Sequence, residues 1–371
     1  MKYKILGFSS GEVNDIRSWS GINYHFYTAL KKQCDVVGII NSAQRIPAFE
    51  EKMLSKNYKP DFVIKYQKER AAICRRKIQQ IKKAYDLILQ FGMSPIVKHQ
   101  SPFVIYLDRT HKEWFRKYGS APFLDLPGEK DQPYKMEYIK IETAMYKAAA
   151  KLFTFSYYAR KSLIEDYGID PQNVITVGAG PNMPHIPNID KNFDGKTILF
   201  VGTDAVRKGA DTLLEAFRKV RKEIPDARLF MVSSGLIKYC DRINVKRAGI
   251  TIKGFSGKQL LDRLYRMASV FVMPSLYEDF GIVFLEAMAY KLPCIGTNVC
   301  AMPEIIEDNK TGFLVRPRDY RELADRIISL LIQKNIAKAM GERGRQKVID
   351  YYNWDDTVKR ILKGIGDINL K

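Results

Sequence analysis

The sequence predicts an α/β protein made of two doubly wound, Rossmann-like domains in series. Short apolar runs alternate with longer amphipathic stretches, the pattern left by parallel strands and their crossover helices. The alternation halts once, at 178–188, where three prolines and two glycines fall within eleven residues, and then restarts. A length of 371 residues favours two domains, and 46% hydrophobic content supplies a core for each.

The elements follow in order. Residues 3–8 lack the long apolar core and small-residue cleavage site of a signal peptide and read as a first buried strand. Apolar runs at 36–40, 87–90, 103–107, 152–155 and 174–177 continue the first sheet. Amphipathic stretches at 24–32, 66–85, 135–150 and 159–167 supply its helices. After the break, strands are expected at 197–201, 228–232, 250–253, 270–273, 294–296 and 313–315. Helices are expected at 210–222, 258–267 and 282–290, with three closing helices at 320–333, 336–351 and 355 to about 365. The expected boundaries are 1–183, 184–350 and a terminal segment, 351–371, packing back on the first domain. Ligands of open parallel sheets bind beyond the carboxyl ends of the strands, so two such domains facing each other would place a substrate site in the cleft between them.

Composition narrows the function. Five cysteines, Cys34, Cys74, Cys240, Cys294 and Cys300, are scattered without a C-x-x-C pair, which suits a reducing cytosol. The four histidines have no metal-ligand spacing and no Asp-x-Asp triplet occurs, so no metal and no cofactor are expected. No apolar run approaches the ~20 residues of a membrane span. The formal net charge is +20, and 52–83 holds eleven basic residues against Asp61 and Glu69. Such a segment attracts phosphates, whether of anionic lipid, a phosphorylated substrate or nucleic acid, or is simply a solvated helix face. It has no interleaved aromatic stacking pattern and no nucleic-acid reading motif, so no nucleic acid is expected. A dehydrogenase is disfavoured because no G-x-G-x-x-G follows the first strand.

The most informative residues are Glu278 and Glu286, eight positions apart in SLYEDFGIVFLEA. From 282 to 289 every residue except Glu286 is apolar. A helix apolar on all faces is usually buried, so Glu286 is expected to be a carboxylate in the interior, answered by an internal cation or by ligand hydroxyls.

Four ordered blocks extend this pattern: Phe200-Val201-Gly202 through Arg207-Lys208-Gly209; 261–281 with its Tyr265-Arg266-Met267-Ala268; the glutamate pair; and Pro303-Glu304-Ile305-Ile306 through Val315. Together they resemble the donor-binding half of a GT-B glycosyltransferase, specifically retaining family 4. The resemblance implies a metal-independent transfer of a hexose-type sugar from a nucleotide diphosphate, UDP or GDP, to a sugar or lipid-linked acceptor hydroxyl. Cell-surface polysaccharide or glycolipid assembly is its usual setting, in the cytosol or peripherally on the inner membrane face. Glu286 matches the glutamate that takes the ribose hydroxyls, and Glu278 the one that contacts the donor sugar. Asp279, Phe280, Gly281 and Ile282 lie where free amides at a helix start hold the diphosphate. Lys208 and Arg207 match the cations that stabilise the departing diphosphate; Thr203 stands where relatives more often carry the arginine. In the first half, Ser20 and Gly21 match a glycine-rich turn facing the donor. Asp108, where relatives often have histidine, and His111 are implied at the acceptor and reacting centre. Two other readings stay open: a nucleotide-sugar-binding relative without activity, and a basic nucleic-acid-binding protein.

Overall fold

The computed structural model describes residues 3–15, 21–42, 61–92, 101–118, 132–233, 249–254, 257–366 and 368. The chain divides into two units, Met1–Ala179 with Trp354–Lys371, and Gly180–Asn353.

The first unit contains β1 (Lys4–Ser9), β2 (Asp35–Asn41), β3 (Leu87–Phe91), β4 (Phe103–Leu107), β5 (Lys151–Thr154) and β6 (Val174–Thr176). They form one sheet in the order β2-β1-β3-β4-β5-β6, every pair parallel. The inner strands are almost wholly buried, which is why they read as unbroken apolar runs rather than alternating ones. On one side Phe26, Phe91, Tyr106, Phe155 and Trp354 pack together, with Tyr106 and Phe155 stacked at 4.6 Å. Trp354 brings in the last helix, Trp354–Gly366, against the helix Ile22–Gln33. Gln33 Nε2 donates to Asp355 O at 2.8 Å and Arg360 Nε to Val177 O at 2.8 Å, so the terminal helix completes the first unit.

The second unit contains β7 (Thr197–Val201), β8 (Arg228–Val232), β9 (Ile250–Lys253), β10 (Val270–Val272), β11 (Cys294–Thr297) and β12 (Gly312–Val315). Their order is β12-β11-β10-β7-β8-β9, again all parallel. Local chemistry sets the helix starts: Asp319 accepts from Glu322 N at 3.0 Å ahead of Tyr320–Ile332.

Two boundaries differ from expectation. The helix expected at 66–85 runs Asp61–Gln79 and closes in tight turns, Gln80 N to Lys77 O and Ile81 N to Ile78 O. A helix at His111–Tyr118 was not foreseen. Its start carries a local cap, Glu113 N donating to Thr110 Oγ1 at 3.4 Å in a Thr-x-x-Glu pattern that the sequence reading passed over, while the His111 amide is met by Glu142, 31 residues away.

Candidate functional site

In the second sheet the chain leaves β7 toward β8 and β9, then returns to the other side of β7 with β10. Strand order reverses between β7 and β10, and a crevice opens beyond their carboxyl ends at such a point. The segment after β7 carries Arg207 and Lys208, and the segment after β10 carries Glu278 and Asp279. The two loops are stitched together by Leu276 N to Arg207 O at 2.8 Å and by Arg207 Nη1 to Tyr277 O at 2.9 Å. Gly209 makes this approach possible. It sits at φ 74°, and a Cβ there would lie 2.0 Å from Pro274 O.

The approach brings Arg207, Lys208 and Glu278 into contact. Lys208 Nζ and Arg207 Nη1 both donate to Glu278 Oε2, the latter at 3.3 Å. The Lys208 and Glu278 side chains are only 9% and 11% exposed. Burial alone would raise the Glu278 pKa. The Lys208 ammonium and then the Arg207 guanidinium outweigh it, holding the carboxyl below its ordinary value. Arg207 also donates from Nε to Asp204 Oδ2 at 3.3 Å. The cations expected at a departing diphosphate are thus paired with the acid expected at the sugar.

Gly281, in the left-handed region at φ 78°, precedes the helix Ile282–Ala289. A Cβ there would meet Met302 Cε at 2.6 Å. Phe280 and Asp279 are buried in the same turn. Glu286 corrects the sequence expectation: it is half-buried rather than interior. Ile282, Val283 and Glu286 form a partly exposed stripe, while Phe284, Leu285, Ala287 and Met288 face the core. The helix is apolar all round because its open stripe is apolar too, not because every face is covered. Glu286 Oε2 accepts from Tyr265 Oη at 3.0 Å.

The first unit repeats the arrangement at its own reversal, between β1 and β3. Gly21, at φ 88°, precedes the helix Ile22–Gln33 beyond β1, with Asn23 and His25 buried in its first turns. Trp19 and Ser20 lie outside the described residues. Asp108 follows β4 directly and is partly exposed. His111 opens the next helix and is held by Glu142, which accepts from His111 Nδ1 at 3.0 Å and from Tyr146 Oη at 2.7 Å. Tyr167 Oη donates to the same carboxylate. Glu142 is fully buried, yet these donors keep its pKa below the ordinary value against the opposing effect of burial. Sequence reasoning passed over it. Its signal was an acid in line with Tyr138, Met145 and Tyr146, the buried stripe of the helix Gln132–Ala148.

Among the described residues, no cluster of His, Cys, Asp and Glu could hold a metal ion. Among them, too, no helix is long and apolar enough to cross a membrane.

Comparison with known proteins agrees with the sheet order. Residues 184–347 match the family described as glycosyl transferases group 1. An uncharacterized glycosyltransferase of Methanocaldococcus jannaschii is 33% identical over 174 residues, 46% of this chain and 44% of that protein. A GDP-mannose-dependent alpha-(1-6)-phosphatidylinositol monomannoside mannosyltransferase of Mycobacterium tuberculosis is 33% identical over 176 residues, 44% of this chain and 46% of that protein. The chain therefore spans under half the length of these two relatives. The structure of sucrose-phosphate synthase from Thermosynechococcus elongatus aligns with a TM-score of 0.68, at 18% identity, over 98% of both chains. The fold of the whole chain is α/β, of the GT-B type.

Proposed function

We propose, from the match of residues 184–347 to the glycosyl transferases group 1 family, that the chain is a retaining glycosyltransferase. It moves a hexose-type sugar from a UDP- or GDP-linked donor to an acceptor hydroxyl, without a metal. The observation that carries the reading is the convergence of Arg207, Lys208 and Glu278 at the β7/β10 reversal, with Glu286 one turn into the helix that follows. Negative charge builds on the leaving diphosphate as the anomeric bond breaks, and pre-placed cations stabilise that state more than the ground state. Glu278 takes hydroxyls of the donor sugar and Glu286 those of the ribose, while amides around Asp279, Phe280, Gly281 and Ile282 face the phosphates. The acceptor oxygen attacks the anomeric carbon on the face the diphosphate leaves, and a leaving-phosphate oxygen takes its proton. In the first unit, Gly21 and Ser20 are assigned to donor binding, and Asp108 and His111 to the acceptor.

The setting we propose is assembly of cell-surface polysaccharide or glycolipid at the cytosolic membrane face. Four described cysteines are free thiols, which fits a reducing compartment. Lys65, Lys68, Arg75, Arg76, Lys82 and Lys83 are exposed along and beyond the helix Asp61–Gln79, whereas Arg70 turns inward to Ser42 O at 2.7 Å. These exposed cations suit an anionic lipid surface or a lipid-linked phosphate, and the mycobacterial relative is named for a phosphatidylinositol monomannoside.

A thermal-shift screen over nucleotide sugars tests the donor, because a ligand of the native state raises its stability. NMR of the product then reads the anomer. Binding of no nucleotide sugar by folded protein overturns the proposal. Equal sedimentation with neutral and anionic vesicles removes the membrane part alone.

A further inference from the structure

Tyr265 is held at three points. Its ring stacks on Tyr290 at 5.1 Å and 18°. Tyr290 is itself pinned, donating from Oη to Asp262 Oδ1 at 2.7 Å while Arg266 Nε donates to Asp262 Oδ2 at 2.9 Å. The Tyr265 carbonyl accepts from Lys191 Nζ at 2.6 Å. What remains is the phenol, which donates to Glu286 Oε2 at 3.0 Å. Burial, and then the Glu286 charge, push the phenol pKa well above its ordinary value, so the hydroxyl stays protonated and acts as a donor. Glu286 stands on the partly exposed stripe of its helix. The last torsion of a glutamate there is broad, so the plane of its carboxylate is set by what it contacts, and Tyr265 Oη is one such contact.

We infer that Tyr265 is a positioning residue that fixes the plane of the Glu286 carboxylate, and thereby sets how strongly the site prefers a ribose diol over a deoxyribose. The inference rests on the reading of Glu286 as the ribose acceptor. A carboxylate has about four acceptor sites. One is spent on an immobile donor, and a neighbouring site then points in a set direction before ligand arrives. A vicinal diol is recognised by two acceptor directions at once. It therefore gains more from a fixed plane than a single hydroxyl does. Tyr265 lies 21 residues from Glu286, in a different helix, so sequence spacing does not reveal the pairing.

The test is calorimetric titration of the full chain with UDP, GDP and their 2′-deoxy forms. Tyr265→Phe keeps the ring and its stack, and circular dichroism checks the fold. Whichever ribonucleotide the native chain binds is expected to bind Tyr265→Phe about tenfold more weakly, with its 2′-deoxy form little changed. In a Glu286→Ala background, Tyr265→Phe is expected to add nothing. Tyr290→Phe, which releases the ring from Asp262 and leaves the Tyr265–Glu286 hydrogen bond itself in place, is expected to lose part of the same ribose-to-deoxyribose ratio. An unchanged ratio in both phenylalanine variants overturns the inference and leaves the Glu286 reading standing. Full ribonucleotide affinity in Glu286→Ala, or no discrimination by the native chain, overturns that reading and the inference with it.

Discussion

Lys208→Met is the perturbation that separates the electrostatics of the site from its chemistry. Lys208 is the first of the two charges that hold Glu278 below its ordinary pKa, and both side chains of the pair are about nine-tenths buried. Removing one partner of a buried pair costs about 3–5 kcal/mol, because the other charge is stranded. Arg207 stays behind at 3.3 Å from Glu278 Oε2, so the lower end, about 3 kcal/mol, is expected. Lys208→Met with Glu278→Leu strands no carboxylate and leaves Arg207 its contacts to Asp204 and Tyr277 O. The double variant should then cost about 1 kcal/mol, less than the single one, which a double-mutant cycle reads as strong coupling. The chain offers a convenient assay. All three tryptophans, at 19, 114 and 354, belong to the first unit. Urea unfolding by far-UV circular dichroism reports both units, and tryptophan fluorescence reports the first alone. Lys208→Met should lower the dichroism transition and leave the fluorescence midpoint in place. Transfer should fall about 10²–10³-fold in both variants if the lysine stabilises the leaving group. A loss below about 1 kcal/mol in Lys208→Met, or a double variant as costly as the sum of its parts, would refute the account of a desolvated pair.

Three further outcomes follow from single residues. Lys191 donates to the Tyr265 and Arg266 carbonyls, and burial, followed by Arg266, lowers its pKa from 10.5 to about 7. The unfolded chain therefore binds more protons between those values, and stability rises with pH across that window, on the order of 3 kcal/mol from pH 7 to 9.5. Urea midpoints of Lys191→Met, compared with the native chain at both pH values, should lack that rise; an identical rise would place it elsewhere. Gly209→Ala should abolish donor binding and destabilise the second unit, since its Cβ would fall 2.0 Å from Pro274 O; a native-like thermal midpoint would show that the loops tolerate separation. Glu286→Ala should remove donor affinity while leaving the chain folded, at a cost of about 1–3 kcal/mol as the buried Tyr265 hydroxyl loses this acceptor; unfolding as its main effect would make Glu286 a structural acid.

The strands were legible because they are covered on both faces, so that β3 and β7 appear in the sequence as continuous apolar runs. The helix His111–Tyr118 was missed although Thr110 caps it locally, because it is only eight residues long and its first two amides are answered by Glu142 and Tyr167 from distant segments. The same distinction governs the site. Glu278 and Lys208 stand 70 residues apart, and Tyr265 and Glu286 stand 21 apart. No periodicity joins such pairs; only the sheet reversal does. Resemblance to a family brought Arg207, Lys208 and Glu278 into one list, but not into one ion pair. The burial of Glu286 was misjudged for a local reason, since composition cannot distinguish an apolar stripe that is covered from one that is open.

That open stripe strengthens the case for a ligand at Glu286. A carboxylate deep in the core needs a cation within the protein, as Glu278 has, and its charge is then spent. Glu286 stands instead on a partly exposed stripe, where Tyr265 Oη donates to its Oε2 and the side chain is within reach of a ligand. A carboxylate so placed suits hydroxyl donors better than phosphate. In the proposed function the balance reverses eight residues earlier, where Arg207 and Lys208 would attract phosphate once Glu278 exchanged them for sugar hydroxyls. A ligand that satisfies both ends must therefore be anionic at one point and rich in hydroxyls on either side of it. A nucleoside diphosphate sugar has that order of groups, ribose, diphosphate and hexose. A nucleic-acid strand, which repeats its phosphates at every sugar, would set one of them against Glu286.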